Sequence, residues 1–343
     1  MSPPLATVLV PARDEERWID DCLTSIAAQD YPHDRMQVIV VVDGESSDAT
    51  DTRAKELLDG CDFADVEVVR HGAGGTPGNL NAGLALARGG ILCRVDARSR
   101  VPPDYVRRCV EILEERPEVA VTGGAQVAIA SRGDALGDGI ARALNNRWGM
   151  GLSRYRRGAA SGPADTVYLG AFRTAQLREV GGWSEAFPTN QDFELNRRLA
   201  ALGLVWFDAA LPVGYVPRPD VLSLFRQYRR FGAWKVRYWR RTGDRPRPRQ
   251  LALLVGVPAF AAIATAGLAT GSARRRALAG AALVGAVAFV ELRGSRGPRG
   301  GPAAHAWSAL ASGVVGAGWL TGAWGELARR PPSPDPGAPA RSG

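Results

Sequence analysis

Three carboxylates follow apolar, β-branched runs in the first hundred residues. Asp14 stands in the polar turn after Leu5–Val10, Asp43 ends the run Val38–Val42, and Asp96 ends Ile91–Val95. An acid after a strand is common turn chemistry. It is also where open α/β sheets place ligands, outside the carboxyl ends of their strands. On one parallel sheet the three acids would share a rim, and three acids on one rim suit a nucleotide. Asp43 can accept hydrogen bonds from a base or ribose. Asp14 can do the same, or can cap the helix that begins near Trp18. Asp96 can hold a metal ion or a phosphorylated ligand. Two further acids, Asp192 and Glu194, fall in the first turn of a helical pattern, where negative charge also favours the macrodipole.

The elements that must carry these acids alternate. Trp18, Ile19, Cys22, Leu23 and Ile26 recur at helical spacing after the first strand. Ser46, Ser47 and Asp48 offer N-caps to a helix through Leu58. Val66–Val69 reads as a third strand, the glycine-rich loop from His71 to Gly78 leads to a helix through Arg88, and Pro102-Pro103-Asp104 opens another after Asp96. Strand–helix alternation predicts parallel βαβ units with both faces of the sheet covered. Further on, Val119–Thr122 predicts a strand, Asp134–Arg147 a helix, Thr166–Leu169 a strand, Phe172–Val180 a helix and Asn190–Leu202 a longer one.

The chain of 343 residues has room for one large domain and an appendage, and its hydrophobic share of 45% supports a sizeable core. Its net charge of +8 comes almost entirely from Arg, with Lys only at Lys55 and Lys235. Such a balance permits nucleic acid, an anionic membrane surface or a phosphorylated substrate as partner. Cys22, Cys61, Cys93 and Cys109 lack metal-site or redox-motif spacing and read as reduced thiols. From Leu224 to Arg249, Arg alternates with Phe225, Tyr228, Phe231, Trp234, Tyr238 and Trp239. Leu251–Thr270 then runs 20 residues without a charge, enough for a bilayer at roughly 20 residues per crossing. Ala277–Val290 is apolar but short, and Ala303–Gly325 is long enough to cross. The Arg–aromatic stretch also suits single-stranded nucleic acid. Its place beside the apolar run favours an interfacial helix with rings at headgroup level, and no nucleic acid partner. Pro331–Gly343 is a Pro-rich tail.

The stretches VLVPARDEERWIDDCLTSIAAQDYP, VIVVVDGESSDATD and TPGNLNAGLALARGGILCRVDA resemble the nucleotide-sugar half of a family 2 glycosyltransferase with the GT-A fold. Gly170-Ala171-Phe172-Arg173, Gly181-Gly182-Trp183 and the run from Gln191 to Leu199 resemble its acceptor half. The wording RVDARSRVPPDY and QDFELNRRL is most similar to the ExoA-like enzymes of exopolysaccharide synthesis. The likeness spans roughly residues 5–240.

That resemblance implies roles. Pro11, Ala12, Asp14 and Asp43 line a nucleoside pocket, and Gly78, Asn79 and Asn81 face the nucleotide. Asp96 meets the diphosphate and a divalent cation, Mg²⁺ or Mn²⁺, which helps the leaving group depart. Asp192 is the general base that takes the proton of an acceptor hydroxyl, and one displacement with one base inverts the anomeric centre. Trp183, Gln191, Gln227 and Arg230 stand on the acceptor side, with Trp183 equally suited to the core. The sequence departs from the family at two places. The usual Asp-x-Asp is Asp96-Ala97-Arg98, and Arg cannot ligate a metal, so either Asp96 holds the cation with the phosphates and water or Arg98 itself supplies part of the positive charge on the donor side. The usual Glu-Asp is Gln191-Asp192.

The expectation is therefore an α/β GT-A mixed sheet flanked by helices (1–225), a basic-aromatic segment (226–250), two or three membrane helices (251–325) and a disordered tail (326–343). The catalytic domain would face the cytosol at the cell membrane. It would move sugar from a nucleotide-sugar donor to a lipid-linked saccharide acceptor. A rival reading is an inactive, membrane-tethered sugar-nucleotide-binding protein.

Overall fold

The computed structural model describes residues 2–146, 160–259 and 301–329, with isolated positions between 262 and 294. Every residue of β1 (Ala6–Ala12) and β2 (Met36–Asp43) is buried, as happens when helices cover both faces of a sheet. Between them and the next two strands, β3 (Asp65–His71) and β4 (Ile91–Arg94), run α1 (Ile19–Ala27), α2 (Thr50–Leu58) and α3 (Gly75–Leu86). After β4 come α4 (Tyr105–Glu115), α5 (Ala135–Asn145), α6 (Thr174–Glu179) and α7 (Gln191–Leu199). Alternate strand residues sort onto opposite faces. Val8, Val10, Val38 and Val40 join buried residues of α1, α2 and α4 in one core. Leu9, Ile39 and Val41 join those of α3, α6 and α7 in the other.

Strands β3, β2, β1 and β4 lie side by side in that order and are parallel. The sheet then becomes mixed. β8 (Tyr168–Arg173) runs antiparallel between β4 and β6 (Val119–Ala128), and β9 (Leu204–Tyr215) lies parallel to β6. The two-residue strands β5 (Ser99–Arg100) and β7 (Gly162–Pro163) pair with β9. Only a short turn separates β5 from β4, yet β5 sits at the far end of the strand order. The sheet must curl to bring it there, and the curl sets β9 beside the rim where Asp96 stands. Gly170–Arg173 belongs to β8, so the helix expected from Phe172 starts two residues later. The expected helix Asn190–Leu202 is α7, shorter at both ends.

The C-terminal part differs most from expectation. The Arg–aromatic stretch is α8 (Val221–Thr242). The Asp220 carboxylate caps it, accepting from Ser223 N at 2.8 Å, and Gly243 ends it in the left-handed conformation. Of its rings, Tyr228, Tyr238 and Trp239 are buried, while Phe225, Phe231 and Trp234 are half-buried. Ala303–Gly325, expected to cross a bilayer, lies within α9 (Pro302–Leu327). It packs along α8 and α5, and no helix among the described residues is long and apolar enough to cross a membrane. Its many Ala and Gly residues supply smallness more than hydrophobicity, and smallness lets helices approach closely. A Cβ on Gly322 would overlap the carbonyl oxygen of Arg229, and one on Gly232 that of Trp319. Ala277–Val290 and most of Leu251–Thr270 lie outside the described residues, as does the tail from 330 onward.

This close approach has a testable consequence. Gly322→Leu must push α9 off α8, because the obstacle is main chain and cannot rotate away. The expected cost is about 3 kcal/mol, the upper part of the overpacking range. Gly313→Ala is the control. It lies on the same helix with no atom within 4 Å of the new Cβ, and it is expected to gain about 0.5 kcal/mol. Chemical denaturation of both variants decides; equal midpoints would refute the packing.

Candidate functional site

The parallel register sets the ends of β1, β2 and β4 level, with Ala12 opposite Val42 and Leu9 opposite Arg94. Asp14, Asp43 and Asp96 therefore do share one rim. Asp14 adopts a left-handed backbone (φ 52°), a conformation Asp tolerates better than most residues. Its Oδ1 accepts from Ser47 N at 2.8 Å and from Ser47 Oγ at 3.2 Å. Ser46 Oγ in turn accepts from Asp14 N at 2.9 Å, so the first two turns are laced together. Asp43 is fully buried. It accepts from Glu45 N at 3.0 Å and from Asn79 Nδ2 at 3.4 Å. Pro11, Ala12 and Gly78 are buried with it. Of these residues Asp14 offers the open side chain, at 47% exposure; Pro11, Ala12, Asp43 and Gly78 are buried and form a floor beneath it.

Two expected site residues serve the scaffold. The Asn81 amide is consumed by the main chain of Trp183, donating to its O and accepting from its N, both at 2.8 Å. The Trp183 ring is buried and packs edge-on against Phe172 at 5.7 Å. It therefore occupies the core and presents no stacking face to an acceptor sugar.

The centre of the rim is organised by a residue the sequence reading did not single out. Arg94, the last residue of β4, is buried. Its Nε donates to Asp96 Oδ1 at 2.7 Å, and its Nη1 donates to Asp192 Oδ1. One guanidinium thus joins the acid just after β4 to the acid in the first turn of α7. Asn190, just ahead of that turn, is left-handed (φ 66°). Such backbone strain is concentrated where a side chain must be aimed. Burial alone would lower the Arg94 pKa; Asp192 and Asp96 more than offset it and raise it. Loss of bulk solvation pushes the Asp192 carboxyl above the usual carboxylate range, against the pull of Arg94, and Asp96 adds to the rise. Asp192 still keeps 39% of its side chain exposed, so it faces the cleft. Glu194, the other acid of that turn, is held by both arms of Arg198 at 2.7 Å and is only 12% exposed.

Arg98, in the place of a second metal-ligating acid, turns to Glu15 at 2.7 and 2.9 Å. Burial raises the Glu15 carboxyl, while Arg98 and Arg218 draw it down. No group of three His, Cys, Asp or Glu residues suited to a metal occurs among the described residues. Beside Asp192, which is bonded to the same guanidinium, Asp96 offers a carboxylate there. It is 34% exposed and one of its oxygens is bonded to Arg94. The described residues do not enclose a hard cation, so phosphate oxygens and water must complete its shell. Of the residues expected on the acceptor side, Gln191 is half-buried, Arg230 is exposed on α8, and Gln227 lies 3.5 Å from the Tyr215 hydroxyl. All four cysteines are unbridged.

The model for "Glycosyl transferase family 2" matches residues 7–167, and that for "Glycosyl transferase family group 2" matches residues 91–291. The succinoglycan biosynthesis protein ExoA of Rhizobium meliloti is 27% identical over 263 residues, covering 75% of this chain and 77% of that protein. A dolichyl N-acetyl-α-D-glucosaminyl phosphate 3-β-D-2,3-diacetamido-2,3-dideoxy-β-D-glucuronosyltransferase of Methanococcus voltae is 25% identical over 235 residues, covering 67% of this chain and 72% of that protein. Among solved structures, the Pyrobaculum calidifontis mannosyltransferase PcManGT, in complex with GDP-Man and Mn²⁺, superposes with a TM-score of 0.61. It is 20% identical and covers 95% of this chain and 88% of its own, a likeness of fold.

Proposed function

The chain belongs to the family 2 glycosyltransferases, and from that premise we propose that it inverts the anomeric centre of a nucleotide sugar, using Asp192 as the base. The observation that carries this reading is the single guanidinium of Arg94, which holds both Asp96 and Asp192 at one rim. A donor whose diphosphate lies at Asp96 then has its sugar near Asp192. Asp192 accepts the proton of the incoming acceptor hydroxyl late in the displacement, when that oxygen has become acidic. The nucleoside rests over Asp14 on the floor made by Pro11, Ala12, Asp43 and Asn79. A divalent cation, when bound, neutralises charge on the departing diphosphate; Asp96 is the residue that would hold it.

The acceptor we propose is a lipid-linked saccharide in cell-surface polysaccharide or glycolipid synthesis, with the catalytic domain on the cytosolic face of the cell membrane. Supporting this are the arginines of α8, the exposed run Leu251, Leu253, Val255 and Val257 just beyond it, and relatives named for succinoglycan and dolichyl-linked chemistry.

The test is a panel of nucleotide sugars scored by release of nucleoside diphosphate, with and without chelator. One donor should be preferred, and excess chelator should lower transfer at least about tenfold, since losing the cation removes positive charge from beside the departing diphosphate. The empty protein should bind Mn²⁺ weakly in equilibrium dialysis. Full activity in chelator would transfer the role of steadying the diphosphate to arginines of the rim.

A further inference from the structure

Arg94 aims the Asp192 carboxylate, but the helical turn that carries it needs its own support. α7 has only nine residues. Leu195 and Leu199, further along it, enter the sheet core. Phe193, directly after Asp192, instead joins a separate cluster made by Phe187, α8, Leu254 and α9. At its centre is Tyr238 of α8, only 2% exposed. The Tyr238 ring meets Phe193 edge-on, with centroids 5.2 Å apart, an arrangement favoured by the ring quadrupoles. It also packs against Phe187 at 5.8 Å. Lys235 Nζ lies over the Phe193 ring, 3.4 Å from its centroid. Arg241 faces the Phe187 ring and donates to Ala186 O. The Tyr238 hydroxyl donates to Asp244 Oδ2 at 2.7 Å, and Asp244 Oδ1 accepts from Arg197 Nη2 of α7 at 3.5 Å. One stretch of α8 therefore grips the chain on both sides of Asp192. Behind it, Gly318 and Gly322 of α9 lie against the main chain of Phe225 and Arg229, and Arg237 pairs with Glu326 at 3.0 Å.

We propose that Tyr238 is a positioning residue for Asp192, and that α8 and α9 together are the mount of the base. The sheet core holds the far end of α7, while the left-handed Asn190 leads into its first turn under strain. The aromatic grip is what keeps that turn against the rim. Tyr238 acts through the helix and not on the substrate. This inference rests on the reading of Asp192 as the base.

The experiment uses the full chain, the nucleotide sugar preferred in the donor panel, and calorimetric titration of UDP and GDP. Tyr238→Leu should lower turnover about tenfold, less than the roughly hundredfold that misplacing a catalytic group by about 1 Å can cost, because the core still holds the end of α7. Affinity for the nucleoside diphosphate should stay within about threefold. Tyr238→Phe keeps both ring contacts and should restore most of the turnover. Lys235→Met should lower it about threefold; Lys235 is half-buried, so this variant carries the test should Tyr238→Leu not fold. Ile140→Ala opens a buried site on α5 outside this cluster. It is the control for lost stability alone and should turn over normally. Adding Tyr238→Leu, or Lys235→Met in its place, to Asp192→Asn should slow the enzyme no further. A loss that multiplies with Asp192→Asn, or one that falls on diphosphate affinity, overturns the proposal. So does normal turnover of every folded variant at Tyr238 and Lys235. Those results leave the base assignment standing, whereas near-normal turnover of Asp192→Asn removes the base and its mount together. A panel with no accepted donor sinks the enzyme reading and this inference with it.

Discussion

Asp192→Asn is expected to lower turnover at least about a hundredfold, while nucleoside diphosphate binding stays within about threefold of the unmodified protein. The amide has nearly the shape of the carboxylate, and its oxygen can still accept from Arg94, so the rim should keep its geometry. It cannot take up the acceptor's proton. The loss should therefore fall on kcat and spare donor affinity, the signature of an interaction made in the transition state. The measurement is steady-state diphosphate release beside calorimetric titration of the nucleoside diphosphate. Near-normal turnover would remove Asp192 from the reaction. Glu194 is then a poor substitute, because Arg198 already holds both its oxygens and little of it is exposed.

The parallel half of the fold was legible because its signals are local. β1, β2 and β4 are apolar runs ended by an acid, and the helices between them carry apolar stripes. The rim of three acids followed from topology alone. β9 was not legible: Pro212, Gly214 and the mixed exposure of its residues break any strand pattern, and only pairing with β6 makes it a strand. Arg94 was hidden for a related reason. In the sequence it is one charged residue inside an apolar strand, and its two partners come from the next turn and from a helix 98 residues away. A buried charge must find partners, so Arg inside ILCRVD was itself the available signal. Asn81 and Trp183 looked like site residues because they lie in the family's motifs, yet in the folded chain they bond to each other. The C-terminal helix misled through composition. Ala and Gly lengthen an uncharged run and suggest a membrane crossing, while the same small side chains let α9 lie against the backbone of α8.

Arg94→Met should be nearly as damaging as loss of the base. Met fills much of the volume of the arginine stem but cannot bond either acid. Asp96 and Asp192 would then face one another with no cation between them, and like charges at one site disfavour ionisation of both. Each keeps more than a third of its side chain exposed, so water takes up part of the lost solvation and the fold should survive. What is lost is aim: Asp192 is no longer held toward the rim, and misplacement of a catalytic group by about 1 Å can cost roughly a hundredfold. Turnover of Arg94→Met should fall by about that factor, with the protein still folded and still binding nucleoside diphosphate. Arg94→Lys should recover little, since a point charge cannot reach both acids in the geometry of the fork. The deciding comparison is the double variant Arg94→Met with Asp192→Asn. If Arg94 acts through Asp192, the double variant is no slower than Asp192→Asn alone, because the arginine has nothing left to position. Multiplying losses would show that Arg94 meets the substrate on its own account.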